Sequence, residues 1–226
     1  MRKPWWKILC VVLLIYTVIG GFLFSVPARE ILHESIRNLY FHVSMWFVMM
    51  LLFTISVVYS IKYLRHQRLR DDIYAVNFAK VGILFGVLGY ITGALWASYT
   101  WTEYASKTQI FTEPKLTGAA IALLVYFAYL VLRGSVTDID KRARISAVYN
   151  IFAYAVLFPT IWILPRLLES LHPGKEGNPA LNFNDLDGRL RIVWYPAIVG
   201  WLLLGIWFTT LKIRMDLIKE KSILNG

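Results

Sequence analysis

Residues 41–63 read FHVSMWFVMMLLFTISVVYSIKY, and from Val43 to Ile61 the stretch contains no Asp, Glu, Lys or Arg. A run of this length suits a helix that crosses the ~30 Å hydrocarbon core of a bilayer at ~1.5 Å per residue. Working outward, comparable runs lie at 8–26, 81–100, 116–132, 145–164 and 192–211. Together they predict an all-α fold, a polytopic membrane helix bundle with six transmembrane helices. Of the 226 residues 58% are hydrophobic and 17% charged, with a mean hydropathy of +0.54. A soluble domain carries about a quarter charged residues. No separate soluble domain fits between the runs, so 1–226 is read as a single integral membrane domain.

The first run follows MRKPWWK, a basic start that also suits a signal peptide. No small-residue cleavage motif follows it, and the expectation is a retained span. Cys10 is the only cysteine. One thiol excludes an internal disulfide, a CxxC redox pair and a CxxCH haem attachment site. Cys10 therefore reads as a small buried hydrophobe.

The net charge of +10 is unevenly placed. The N-terminus, the 62–70 and 133–144 segments and the C-terminal tail hold nearly twice as many Lys and Arg as the other three connections. The positive-inside rule then puts both termini in the cytoplasm. The outward connections carry as many acids as bases, and two of them, 101–115 and 165–190, are long and rich in turn signals. Long loops in a compact bundle are often functional. Recognition or chemistry is expected on the outer face. Pro159 and Pro196 lie inside the fifth and sixth runs, where each removes a backbone donor and adjusts helix shape.

Four histidines remain to be placed. His66, in RHQRLR, reads as a solvated member of a basic loop. His33, in ILHESIR, belongs to a polar stretch expected to form a short amphipathic helix at the interface. His42 and His172 both fall on the outer side. Singly, His42 suits an aromatic interface belt beside Tyr40 and Trp46, and His172 a turn before Pro173-Gly174. As a pair at the membrane boundary they become candidate functional groups. Zinc sites draw three or four protein ligands, and here no HExxH motif and no outward cysteine occur. Two imidazoles from separate helices suit the axial positions of a haem iron, because the porphyrin supplies four nitrogens of its own. Trp46, Trp96, Trp101, Tyr99, Tyr104 and Phe111 offer flat apolar contacts. Arg37, Arg166 and Arg189 offer cations for the propionates.

RNLYFHVSMWF at 37–47 is similar to the Arg-x-x-Tyr-x-His-Val-Pro segment of the haem exporter protein C (CcmC) family of cytochrome c biogenesis proteins, matching Arg37, Tyr40, His42 and Val43. LPRLLESLHPG resembles the family's second histidine segment and maps onto His172. WASYTWTEYASKTQIFTEPKLTG occupies the place of its tryptophan-rich WWD signature, and WWK at 5–7 resembles its start. The resemblance covers nearly the whole chain. It departs at Ser44, where the family has proline, and in the 101–117 loop, where the tryptophans are fewer and the loop longer.

The resemblance implies a bacterial inner membrane protein that binds non-covalent b-type haem at its outer, periplasmic face, with His42 and His172 as bis-histidine ligands. It implies delivery of the haem to the chaperone CcmE for cytochrome c maturation, with the small protein CcmD and the ABC-type CcmAB complex as partners. No covalent chemistry by this chain is required, so the expected role is transfer rather than catalysis. Three alternatives stand beside it. They are a single-protein haem delivery factor, which usually has more spans and histidines; a b-type respiratory subunit; and a solute permease, which predicts no copurifying haem.

Overall fold

The computed structural model describes residues 4–27, 32–103, 105–168, 170, 172 and 186–224. Helix α1 spans Trp5–Leu23 and stops where Phe24 turns to extended backbone, three residues before Pro27. A 3-10 turn at His33–Asn38 leads into α2, Leu39–His66. This turn is the short polar element expected around His33. Gln67 ends α2 with a left-handed φ of 54° and returns its N–H to the Tyr63 carbonyl at 2.7 Å.

Helix α3, Leu69–Thr100, begins a dozen residues before the apolar run at 81. Its first turns are too polar for a hydropathy window. Asp71 and Asp72 nevertheless favour helix there, because their charges oppose the N-terminal dipole. Ser106 and Gln109 form a reciprocal capping box that starts the short α4, Lys107–Phe111. Pro114 opens α5, Pro114–Ser135, at the one position where a missing N–H costs nothing. Asp138 caps α6, Ile139–Phe158, by accepting from the Lys141 N–H at 2.7 Å. A π turn at Pro159–Ile163 joins α6 to α7, Leu164–Leu167, and α8 runs from Gly188 to Leu224 through Pro196.

Among the described residues, six helical stretches are long and apolar enough to cross a membrane: Trp5–Leu23, His33–His66, Leu69–Thr100, Pro114–Ser135, Ile139–Leu167 and Gly188–Glu220. They correspond one to one with the six predicted runs. The fold is an all-α polytopic bundle. Each of these stretches is longer than its apolar run except the first, because polar turns extend the helices beyond the apolar residues. Leu95, Leu124, Val131 and Phe22 are exposed on the outside of the bundle, as a lipid-facing surface requires.

Helix α2 is central. It packs on α3, α6 and α8, while α1 leans on α8 and α5 on α6 and α3. The main core joins Met45, Val48, Met49, Leu52 and Phe53 of α2 to Ile83 and Phe85 of α3, Tyr126 of α5 and Leu157 of α6. The contact between α2 and α3 has a simple cause. Gly82, Gly86, Gly89 and Gly93 recur at intervals of four, three and four, so they share one face of α3. Against them lie Phe53, Met49, Trp46 and His42 in antiparallel register. With no α3 side chains between, the large α2 side chains rest on backbone. A Cβ added at Gly82 would come within 2.6 Å of Phe53, and one at Gly86 within 2.8 Å of Met49. Small residues at a membrane helix interface allow this close approach, where no hydrophobic force drives helices together.

Glycine serves α5 in the same way. In the π turn the Leu164 N–H bonds the Pro159 carbonyl, and the next donor in that register would be Pro165, which has none. The Thr160 carbonyl faces α5 at Gly118, where a Cβ would overlap the oxygen. Deeper in the bundle Asn150 of α6 donates to Ser56 and Ser60 of α2 at 2.7 and 2.8 Å, and Ser56 donates to the Ala75 carbonyl of α3 at 2.7 Å. At the end where α2 finishes, Arg133 of α5 grips Asp72 of α3 with two bonds of 2.7 and 2.6 Å. Gly86→Ala should lower stability by about 1–3 kcal/mol through overpacking. Gly134→Ala, at a site with open space around it, should be neutral or stabilising by up to about 1 kcal/mol. Thermal unfolding of both variants in detergent checks the pair.

Candidate functional site

The starts of α2 and α5 and the ends of α3 and α7 meet at one end of the bundle. His42 stands one turn into α2 and is buried. It is the last large side chain over the glycine face, and a Cβ at Gly93 would lie 2.5 Å from its Cε1. The missing side chains let the imidazole reach the α3 backbone itself. Its Nδ1 lies 2.9 Å from the Gly89 carbonyl and 3.2 Å from Thr92 Oγ1. A carbonyl only accepts, and the Thr92 hydroxyl already donates to the Leu88 carbonyl at 2.8 Å. The ring proton therefore belongs on Nδ1. That leaves the Nε2 lone pair of a neutral imidazole for a ligand, the arrangement found in metal-binding histidines.

Trp46 and Trp96 flank this imidazole edge-on, with ring centroids 6.2 and 5.9 Å away. Trp96 is fixed by its Nε1, which donates to Ser35 Oγ at 2.9 Å and so ties α3 to the 3-10 turn. Five residues further on, just past the end of α3, Trp101 is buried among Ala97 and Ile110 and meets the His172 ring edge-on at 6.4 Å.

His172 is half-buried and held from two sides. Its backbone N–H donates to Ser170 Oγ at 3.1 Å, and the Ser170 hydroxyl donates to the buried Glu113 carboxylate. Its Nδ1 lies 3.0 Å from Lys115 Nζ. Lys115 is close enough to interact electrostatically with His42 as well, and with Arg166. Lys115 thus contacts one histidine directly and acts on the other only through its charge.

The remaining sequence candidates divide. Arg166 is exposed beside Lys115, its guanidinium 5.2 Å over the Trp162 ring and its Nη1 on the Trp162 carbonyl. Phe111, on α4, is exposed. Tyr99 is exposed too, and Tyr104 lies outside the described residues. Arg37 does different work. Its guanidinium bonds Glu34 and the Gly21 and Phe24 carbonyls, at 2.6–2.8 Å, which braces the end of α1. Tyr40 packs fully buried against Gly21 in the same brace. Arg189 pairs with Asp187 at 3.1 Å at the start of α8. Ser44, where the resembled segment has proline, is fully buried in α2.

Sequence reading did not single out Glu113, Lys115, Ser170, Thr92 or the glycine face as a constellation. The glycines had a readable signal, since their four-three-four spacing mirrors that of His42, Trp46, Met49 and Phe53. Lys115 and Ser170 are far apart in the chain and had none. Among the described residues no three His, Cys, Asp or Glu side chains gather where they could hold a lone metal ion. Gly93→Ala should push the His42 ring off the Gly89 carbonyl. Nitrogen-15 spectra of histidine-labelled protein should then show loss of the Nδ1–H form at His42 in that variant, with His66 unchanged.

A model of the family described as heme exporter protein C matches residues 1–224. A heme exporter protein C of Haemophilus influenzae is 26% identical over 220 residues, covering 97% of this chain and 86% of that protein. One of Rhodobacter capsulatus is 24% identical over 216 residues, covering 92% and 82%. A cytochrome c biogenesis protein CcsA of Pelargonium hortorum is 29% identical over 109 residues, covering 48% of this chain and 31% of that protein. The match to one family takes in all six membrane-crossing helices and both histidine segments, and the chain belongs to the heme exporter protein C family.

Proposed function

We propose that this protein binds haem at the end of the bundle where His42 and His172 lie, with the two imidazoles as axial ligands, and passes it on for cytochrome c maturation. The observation that carries the reading is the position of the two rings. They come from segments 130 positions apart in the sequence, stand beside Trp96 near the end of α3 and Trp101 just past it, and both feel the charge of one lysine. The family match and the names of the relatives support haem as the ligand.

The donor set fits the group. His42 offers Nε2 with its tautomer set by a backbone carbonyl. Trp46, Trp96 and Trp101 offer flat surface, and Phe111 an exposed ring. Lys115 and Arg166 offer cations suited to propionate carboxylates. Iron in the porphyrin supplies the redox and ligand-exchange chemistry. The protein's part is to orient the macrocycle, limit access to the iron and choose the acceptor. By the positive-inside rule this end faces outward, with both termini in the cytoplasm of a bacterial inner membrane. The acceptor is then a haem chaperone of the CcmE type, with CcmD and the CcmAB complex as membrane partners.

Detergent-purified protein should show the optical spectrum of a six-coordinate, low-spin haem. Combined His42→Ala and His172→Ala substitution should abolish that spectrum and strip most of the haem. Full haem content in the double variant would overturn the proposal.

A further inference from the structure

The two proposed ligands are held in opposite ways. At His42 a carbonyl faces Nδ1, so that nitrogen donates and Nε2 is left open. At His172 an ammonium faces Nδ1 at 3.0 Å. A protonated lysine only donates, so this nitrogen accepts, its lone pair is occupied and the ring hydrogen sits on Nε2. Neither nitrogen of His172 then presents a lone pair to a metal. One ligand is ready and the other is covered.

We infer that Lys115 is a latch on His172, released when a carboxylate of the porphyrin arrives. The idea rests on the haem reading above. Three features of the site support an exchange rather than a permanent bond. Lys115 is in the first turn of α5, on a flexible four-carbon stem, while the backbone of His172 is tied separately through Ser170 to Glu113. The loop therefore keeps an anchor when the ammonium leaves. Arg166 and Lys115 carry the same charge and repel, Glu113 offsets this only in part, and a carboxylate between the two cations would relieve it. An ammonium–carboxylate hydrogen bond is also stronger than one from an ammonium to a neutral ring nitrogen. On release, the Nζ–H···Nδ1 bond breaks and an Nζ–H···carboxylate bond forms. No proton is gained or lost, and the uncovered Nδ1 lone pair becomes available to iron. Ligation by His172 is thereby coupled to recognition of the acid edge of the macrocycle. Lys115 acts as a positioning residue rather than a ligand.

The test compares haemin with its dimethyl ester, which keeps the iron and the ring but lacks both carboxylates. Each is titrated into haem-free, detergent-purified protein and followed by optical and electron paramagnetic resonance spectra. Wild type should give low-spin, six-coordinate iron with haemin. With the ester it should give mainly high-spin, five-coordinate iron held by His42. Lys115→Met should make the ester spectrum low-spin like that of haemin, and His172→Ala should leave both probes high-spin. Low-spin spectra from both probes on wild type would overturn the latch and leave the haem site standing. Failure of wild type to bind either probe would overturn both. A readout without haem completes the test. In haem-free protein, Lys115→Met should change the ring nitrogen-15 shifts of His172 and leave those of His42 in place, and unchanged His172 shifts would refute the latch.

Discussion

Bare backbone on one face of α3 is the feature on which the rest of this bundle depends. Gly82, Gly86, Gly89 and Gly93 leave a groove with no side chains, and Phe53, Met49, Trp46 and His42 of α2 fill it in register. The register is steric. Cβ atoms added at these four glycines would come within 2.5–3.1 Å of the α2 side chains, so only bare backbone admits them. Because His42 is the end rung, the packing that holds the middle of the bundle also sets the position of the imidazole. The same closeness brings its Nδ1 to a main-chain carbonyl that a side chain on α3 would have shielded.

The two ends of the molecule use polar groups differently. At the end where α2 finishes, Arg133 and Asp72 satisfy each other in a bidentate pair. At the other end the charged groups also hydrogen-bond to neutral ones. Glu113 is buried and accepts from a serine hydroxyl, and Lys115 donates to an imidazole. Burial of charge in such surroundings is costly unless each group is hydrogen-bonded. Here they are, through a chain that runs from Glu113 to Ser170 to the backbone of His172. A site that must later accept a charged ligand needs cations that are held but not neutralised by a carboxylate. Lys115 feels the Glu113 carboxylate less than it feels Arg166, whereas Arg37 is paired directly with Glu34.

The RNLYFH segment shows how a motif mixes roles that sequence alone treats as one. Arg37 and Tyr40 look like part of the ligand site because they adjoin His42 in the chain. In the fold they point the other way, toward the end of α1. The 3-10 turn followed by α2 explains the split, since Tyr40 and Arg37 lie two and five residues before His42 and so on other faces of the helical path. Ring and cation candidates elsewhere divide too: Trp96 and Trp101 adjoin the two histidines, while Arg189 is spent on Asp187.

Hydropathy by itself determined the number of membrane helices and their order, because the bilayer demands a fixed length of apolar residue and the chain has to satisfy its backbone within each segment. It also marked His42 and His172 as exceptions, since ionisable groups beside lipid are rare. Helix ends were placed less well, because the polar turns before Val81 and after Leu211 are helical without being apolar. Only the tertiary structure decided what each of them meets. The closeness of His42 to Gly89, and of His172 to Lys115 and Trp101, comes from residues separated by dozens of positions along the chain. No periodicity encodes such a pairing. It follows from how tightly glycine lets two helices approach, and that distance exists only once the bundle has formed.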